Sequence, residues 1–91
     1  MFDFTNGIMA IVEINAQAIG IFGAVTACGV IIFGAASGIS KIANGATEAI
    51  ARQPEAGGRI FTSLVLAASL IEGAALFGLI VCFMAILWLS R

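Results

Sequence analysis

Two long apolar stretches, separated by one short polar interruption, dominate the hydropathy pattern. No charge occurs from Ala18 to Ser40. As a helix that stretch reaches about 34 Å at about 1.5 Å per position, enough to cross a hydrocarbon core of about 30 Å. The helical pattern continues through the more polar SKIANGATEAIA to about Ala51. A second apolar stretch runs from Ile60 to Ser90 and holds a single charge, Glu72. Between the two lies ARQPEAGGR. Its Pro54, the only proline in the chain, disfavours helix at Gln53, and Gly57 and Gly58 follow at once. The pattern predicts one hairpin: helix 1 over about 14–51, a polar loop over about 52–58 and helix 2 over about 59–89. The opening MFDFTNGIMAIVE is mixed, and suits either the start of a helix or a short cap at the membrane surface.

Both apolar segments must be helical, because lipid supplies no water to satisfy open backbone groups. The chain is too short for a β-barrel and lacks the required alternation. Composition supports an all-α membrane protein: 62% of residues are hydrophobic and 10% charged, with a mean hydropathy of +1.16. A soluble domain of this size has too much surface for so few charges. A net charge of −1 points to lipid rather than nucleic acid as the surrounding partner. The first charges, Asp3 and Glu13, are acidic, so the N-terminus does not read as a secretory signal and is expected to remain in the mature protein. Lys41, Arg52 and Arg59 cluster at the loop end, against Asp3, Glu13 and Arg91 at the other. The positive-inside rule then puts the loop in the cytoplasm and both termini outside. With no histidine and no CxxC, no metal site is expected. Cys28 and Cys82 read as small apolar core residues.

Glu72 is the conspicuous residue. It lies about 20 Å along a helix from Arg59, which is near the bilayer centre. A charged acid there costs at least about 2.5 kcal/mol. The penalty is avoided when the carboxyl carries its proton, so such a residue suits loading a proton from water and carrying it, neutral, past lipid. Every lysine and arginine lies towards the loop or at the last residue. Helix 1 has a complementary peculiarity in FGAASGIS, where Gly34, Ala36, Gly38 and Ser40 alternate with other residues. Two steps along a helix turn it by about 200°, so Gly34 and Gly38 make one small flank and Ala36 and Ser40 another. A helix small on both flanks can touch two copies of itself, and repeated head to tail that contact gives a closed ring if the rotation closes.

These pieces together resemble the c-type proteolipid family of rotary F-type ATP synthases, over nearly the whole length from about Ala16. The most specific piece is ARQPEA, residues 51–56. The second is the glutamate of LIEGAALF, residues 70–77, which stands at the family's spacing beyond the loop arginine, Arg52. The third is the small-residue row of helix 1, usually GxGxGxG in the family and here Gly34, Ala36, Gly38, Ser40, with Ile32 at an earlier position. The resemblance implies hairpins assembled into a cylindrical homo-oligomeric ring in the bacterial plasma membrane, helix 1 inside and helix 2 outside, with no catalysis of its own. It implies as partners identical c subunits, the stator a subunit, the central-stalk subunits gamma and epsilon, and membrane lipid. Arg52, Gln53, Pro54 and Glu55 fall where the loop meets the stalk, and Glu72 falls at the ion-carrying carboxylate. In sodium-driven members a helix-1 Gln, a Ser, a Thr and a Tyr assist that glutamate. The matching positions here are Ile39, Gly73, Ala74 and Phe77, none of which offers a side-chain oxygen. The resemblance therefore implies a translocated proton rather than sodium, and no cofactor. The Leu70 carbonyl or a water is the expected acceptor for the carboxyl proton. A reading from another class remains open beside it, a small dimeric proton-coupled exporter using Glu72; a purely structural hairpin or pore former is a third.

Overall fold

The computed structural model describes residues 3–91. The first two residues of the mixed N-terminal stretch, and of the single hairpin assigned to 1–91, lie outside that range. Helix α1 spans Phe4–Arg52 and helix α2 spans Gly57–Leu89. A single 3-10 turn, Pro54–Ala56, joins them. The result is a rod with principal extents of 78 × 16 × 8 Å and a radius of gyration of 21.9 Å, where a globule of this length would have about 12 Å.

Helix α1 begins at Phe4, well before the expected start near position 14. The cause is local. Asp3 adopts an extended conformation and its carboxylate accepts the Asn6 N–H at 2.8 Å, while its carbonyl accepts the Gly7 N–H at 3.0 Å. An N-cap of this kind satisfies orphan donors and suits the positive end of the helix dipole. The apolar run that follows, including Ile8, Ile11 and Val12, then continues into the span without a break.

The loop is also shorter than the expected 52–58. Arg52 closes α1, and the Gln53 N–H still donates to the Ala49 carbonyl at 2.9 Å. Gln53 then swings to φ −133°, ψ 73°, as the residue before a proline must. Pro54 starts the turn, where its missing N–H costs nothing, and the Ala56 N–H returns to the Gln53 carbonyl at 3.0 Å. Gly57 and Gly58 already belong to α2. Gly57 has φ −53° and ψ −41°, ordinary right-handed helix, so the reversal needs no left-handed glycine.

The helices lie antiparallel and interlock. Leu89 of α2 covers Gly20 of α1, Ile31 of α1 covers Gly78 of α2, and Ile71 of α2 covers Gly38 of α1. A Cβ would stand 2.7 Å from Leu89 Cδ1 at Gly20, 2.9 Å from Ile31 Cδ1 at Gly78 and 3.4 Å from Ile71 Cδ1 at Gly38. The advance from Gly20 to Ile31 on α1 equals the retreat from Leu89 to Gly78 on α2, and the advance from Ile31 to Gly38 equals the retreat from Gly78 to Ile71. The register is therefore constant over most of α2. It leaves the first turns of α1, about 20 Å at the helical rise, beyond the end of α2.

Within the span, two hydroxyls find acceptors on their own helix. Thr26 donates to the Phe22 carbonyl at 2.8 Å and Ser69 to the Val65 carbonyl at 2.7 Å, the i−4 bond that removes an unpaired donor from lipid. Among the described residues only Cys82 is buried. Phe22, Phe33, Leu70, Phe77 and Trp88 are each at least 74% exposed, an apolar surface that only lipid or other protein can cover.

Gly78→Ala asks only the terminal methyl of Ile31 to move. Gly78→Val adds branching against the same side chain and should overpack the interface by about 1–3 kcal/mol. Thermal unfolding in mild detergent should leave the alanine variant near the parent and lower the midpoint of the valine variant by several degrees.

Candidate ion-binding site

The register sets the depth of Glu72. Gly38 meets Ile71, so Glu72 lies at the level of Ser37 and Gly38. It stands near the midpoint of α2, between Gly57 and Leu89. Both arginines flanking it in sequence are far along the axis, Arg59 by about 20 Å and Arg91 by about 28 Å at the helical rise. Lys41 is closer than its distance along the chain suggests. It stands only about one helical turn beyond Ser37, and so about one turn from the level of Glu72. It turns away, however, to the side of α1 that carries Gly34.

Helical geometry also settles which side of the hairpin each residue occupies. Ile71 points at α1. Each residue turns the helix by about 100°, so Glu72 lies on one flank of α2 and Leu70 on the other. Ala74 and Phe77, three and six steps from Ile71, fall on the flank of Leu70. Gly73, half-buried, faces nearly away from α1, and a Cβ there would meet nothing within 4 Å. In an antiparallel pair of right-handed helices, one step forward on either helix turns to the same side. Ile39, one step past Gly38, therefore shares the side of Glu72. Ile39 is half-buried between the helices, while Glu72, Leu70, Ala74 and Phe77 are exposed.

The hairpin thus brings only Ile39 to the carboxyl and leaves Leu70, Ala74 and Phe77 across α2 from it. Every side-chain hydrogen bond among the described residues lies elsewhere, so Glu72 has no partner among them. No cluster of three metal-ligating side chains occurs among the described residues.

The small row of helix 1 is divided in the same way. Gly38 is used inside the hairpin, against Ile71. Gly34, Ala36 and Ser40 are exposed, and a Cβ at Gly34 would meet nothing within 4 Å. The loop residues Arg52, Gln53, Pro54 and Glu55 are all exposed at one tip. At the other tip the Gln17 side-chain amide donates to the Leu89 carbonyl, which the end of α2 leaves without a helical partner. Glu13, Trp88 and Arg91 line a groove around that bond. Neither Gln17 nor Gly78 stood out in the sequence. A lone glutamine or glycine in an apolar run carries no signal until the opposite helix is in register.

A rod of two helices, each long and apolar enough to cross a membrane, with one carboxylate at mid-helix uncovered by its own chain, has the architecture of a small membrane hairpin. The chain matches the family of the ATP synthase C subunit over residues 22–85, and it belongs to that family. It is 43% identical over 76 residues to the ATP synthase c subunit of Bacteroides thetaiotaomicron, covering 81% of this chain and 89% of the relative. It is 41% identical over 71 residues to that of Phocaeicola vulgatus, covering 78% of this chain and 84% of the relative. The ATP synthase c subunit of a Clostridium botulinum strain is 59% identical over a shorter 39 residues, 43% of this chain and 55% of the relative. No solved structure matches the chain.

Among the acids, Glu72 alone stands in an apolar span with no partner. An apolar carbodiimide added to membranes should modify Glu72 well before Glu13, Glu48 or Glu55, as peptide mass mapping would read. Comparable labelling of the loop acid Glu55 would show that depth does not set reactivity.

Proposed function

We propose that this chain is the proton-carrying subunit of a membrane rotor ring in a rotary ATP synthase, and that it has no catalytic activity of its own. The observation that carries the reading is the isolation of Glu72 at mid-span, on the flank of α2 opposite Leu70, Ala74 and Phe77. A second copy placed flank to flank brings those residues to the carboxyl, so the ion site is completed by the neighbour. Gly34, Ala36 and Ser40, left open by the hairpin, are the surfaces through which α1 meets its neighbours on the inside of the ring. Helix α2 then faces lipid and the stator a subunit.

In this mechanism Glu72 takes a proton from the aqueous path at the stator, becomes neutral and travels through lipid with its hairpin. Its hydroxyl donates to the Leu70 carbonyl of the next copy or to a trapped water. A positive charge on the stator favours the ionised carboxylate and releases the proton on the other side. Ile39, Gly73, Ala74 and Phe77 supply no side-chain oxygen. A sodium ion stripped of its water needs several such ligands, so the carried ion is a proton. Each proton crossing 100 mV yields about 2.3 kcal/mol, and a ring pools several steps for each ATP. The exposed tip Arg52–Glu55 contacts the central-stalk subunits gamma and epsilon. The loop lies in the cytoplasm and both termini outside, as the clustering of Lys41, Arg52 and Arg59 favours.

The exporter reading asks for a substrate pocket at Glu72. The best-formed grooves lie at the two ends of the hairpin, around Gln17 and around Glu48, and neither includes Glu72. Mass measurement in mild detergent separates the readings: many copies are expected, whereas a dimer supports the exporter.

Carbodiimide should label Glu72 in the assembled membrane protein. Sodium at constant pH should not protect it, and clear protection would overturn the proton assignment. Glu72→Gln should assemble to the parent mass and abolish proton-coupled ATP synthesis.

A further inference from the structure

Cys28 and Cys82 belong to separate spans, yet the register brings them together. Ten steps back from Gly38 on α1 and eleven forward from Ile71 on α2 reach levels one residue apart, about 1.5 Å, with Cys82 turned near the facing direction and Cys28 towards the same flank of the hairpin. Cys82 is the one buried side chain among the described residues, Cys28 is half-buried, and Cys28 is the one ionisable side chain that acts on the Cys82 thiol. Neither residue is part of the carboxyl site. Glu72 is about 15 Å from the level of Cys82 along the axis.

We infer that Cys28 and Cys82 form an oxidisable dithiol that closes an intrachain disulfide between α1 and α2. A disulfide needs Cα atoms within about 7 Å and converging Cβ directions. Positions one residue apart in level, turned to the same flank of helices drawn together at Gly20, Gly38 and Gly78, favour both. The pair lacks a third ligand, which makes it unsuited to zinc, where four ligands are the rule. The step is a two-electron oxidation. Two S–H bonds break and one S–S bond forms. The two protons and two electrons pass to a lipid-soluble two-electron acceptor of the quinone or azo class, which becomes the quinol or hydrazine. An apolar acceptor is required because the thiols lie in the span. On the orientation proposed above, the pair sits in the outer half of the membrane, towards the compartment where disulfides persist; that placement rests on the proposed function, while the pairing does not.

The bond would tie the two helices on the termini side of Glu72, about 15 Å from it along the axis. It would lock the register that the glycine contacts already favour.

The test uses the full chain in native membranes treated with the azo oxidant diamide, then denatured and alkylated. The expected result is a chain that has lost the mass of two hydrogens, takes up no alkylating reagent, migrates as a monomer without reductant, and regains both thiols after reduction. Cys28→Ser and Cys82→Ser variants should each keep one alkylatable thiol under the same treatment. Two fully alkylatable thiols after oxidation would overturn the inference. So would chain-to-chain crosslinks in place of the monomer, since these would mean that the nearest thiol belongs to another copy. None of these readouts depends on proton transport, so failure here leaves the rotor reading untouched, and the converse also holds.

Discussion

The close approach of α1 and α2, through glycine on one helix and a branched side chain on the other, is the contact on which the rest depends. Gly20 under Leu89, Gly78 under Ile31 and Gly38 under Ile71 alternate the large partner between helices. Such an arrangement resists sliding, because a shift by one residue would set an isoleucine against a side chain instead of a gap. In lipid there is little hydrophobic drive to hold two apolar helices together, so packing of this kind carries the association. Once the register is set, the depth of Glu72, its side of the hairpin and the meeting of Cys28 with Cys82 all follow.

The hairpin is incomplete by itself. With a single buried side chain among the described residues and large aromatics exposed along both helices, it is a pair of walls without a core. Its incompleteness is specific. Helix α1 keeps one glycine of its small row for α2 and leaves Gly34 open, and α2 separates its carboxyl from Leu70, Ala74 and Phe77. A carboxyl in lipid with no partner in its own chain is tolerable when neutral, or when a neighbouring molecule supplies what is missing. On the function proposed above, one contact between repeated copies would answer both deficits.

The two ends of the rod are handled by ordinary polar chemistry. Asp3 caps the start of α1, and Gln17 serves the last carbonyl of α2 from across the interface. Pro54 ends α1 through its effect on Gln53 and opens the turn that follows. These devices place the few polar residues where backbone groups would otherwise be unpaired.

The sequence by itself determined the two spans, the position of the turn at Pro54, the mid-span acid and the family, because length, hydropathy and the ARQPEA motif are properties of contiguous residues. It left the start of α1 open, near position 14 or earlier, since a cap by Asp3 is a weak signal before a stretch that mixes polar and apolar residues. It overestimated the loop, since Gly57 and Gly58 suggest a turn but adopt ordinary helix. The level of Lys41 relative to Glu72 was not legible, because distance along one helix says nothing about level on the other. Gly78, Gln17 and the Cys28–Cys82 contact were illegible for the same reason. Those facts belong to pairs of residues far apart in the chain, and only the packing of one helix on the other could decide them.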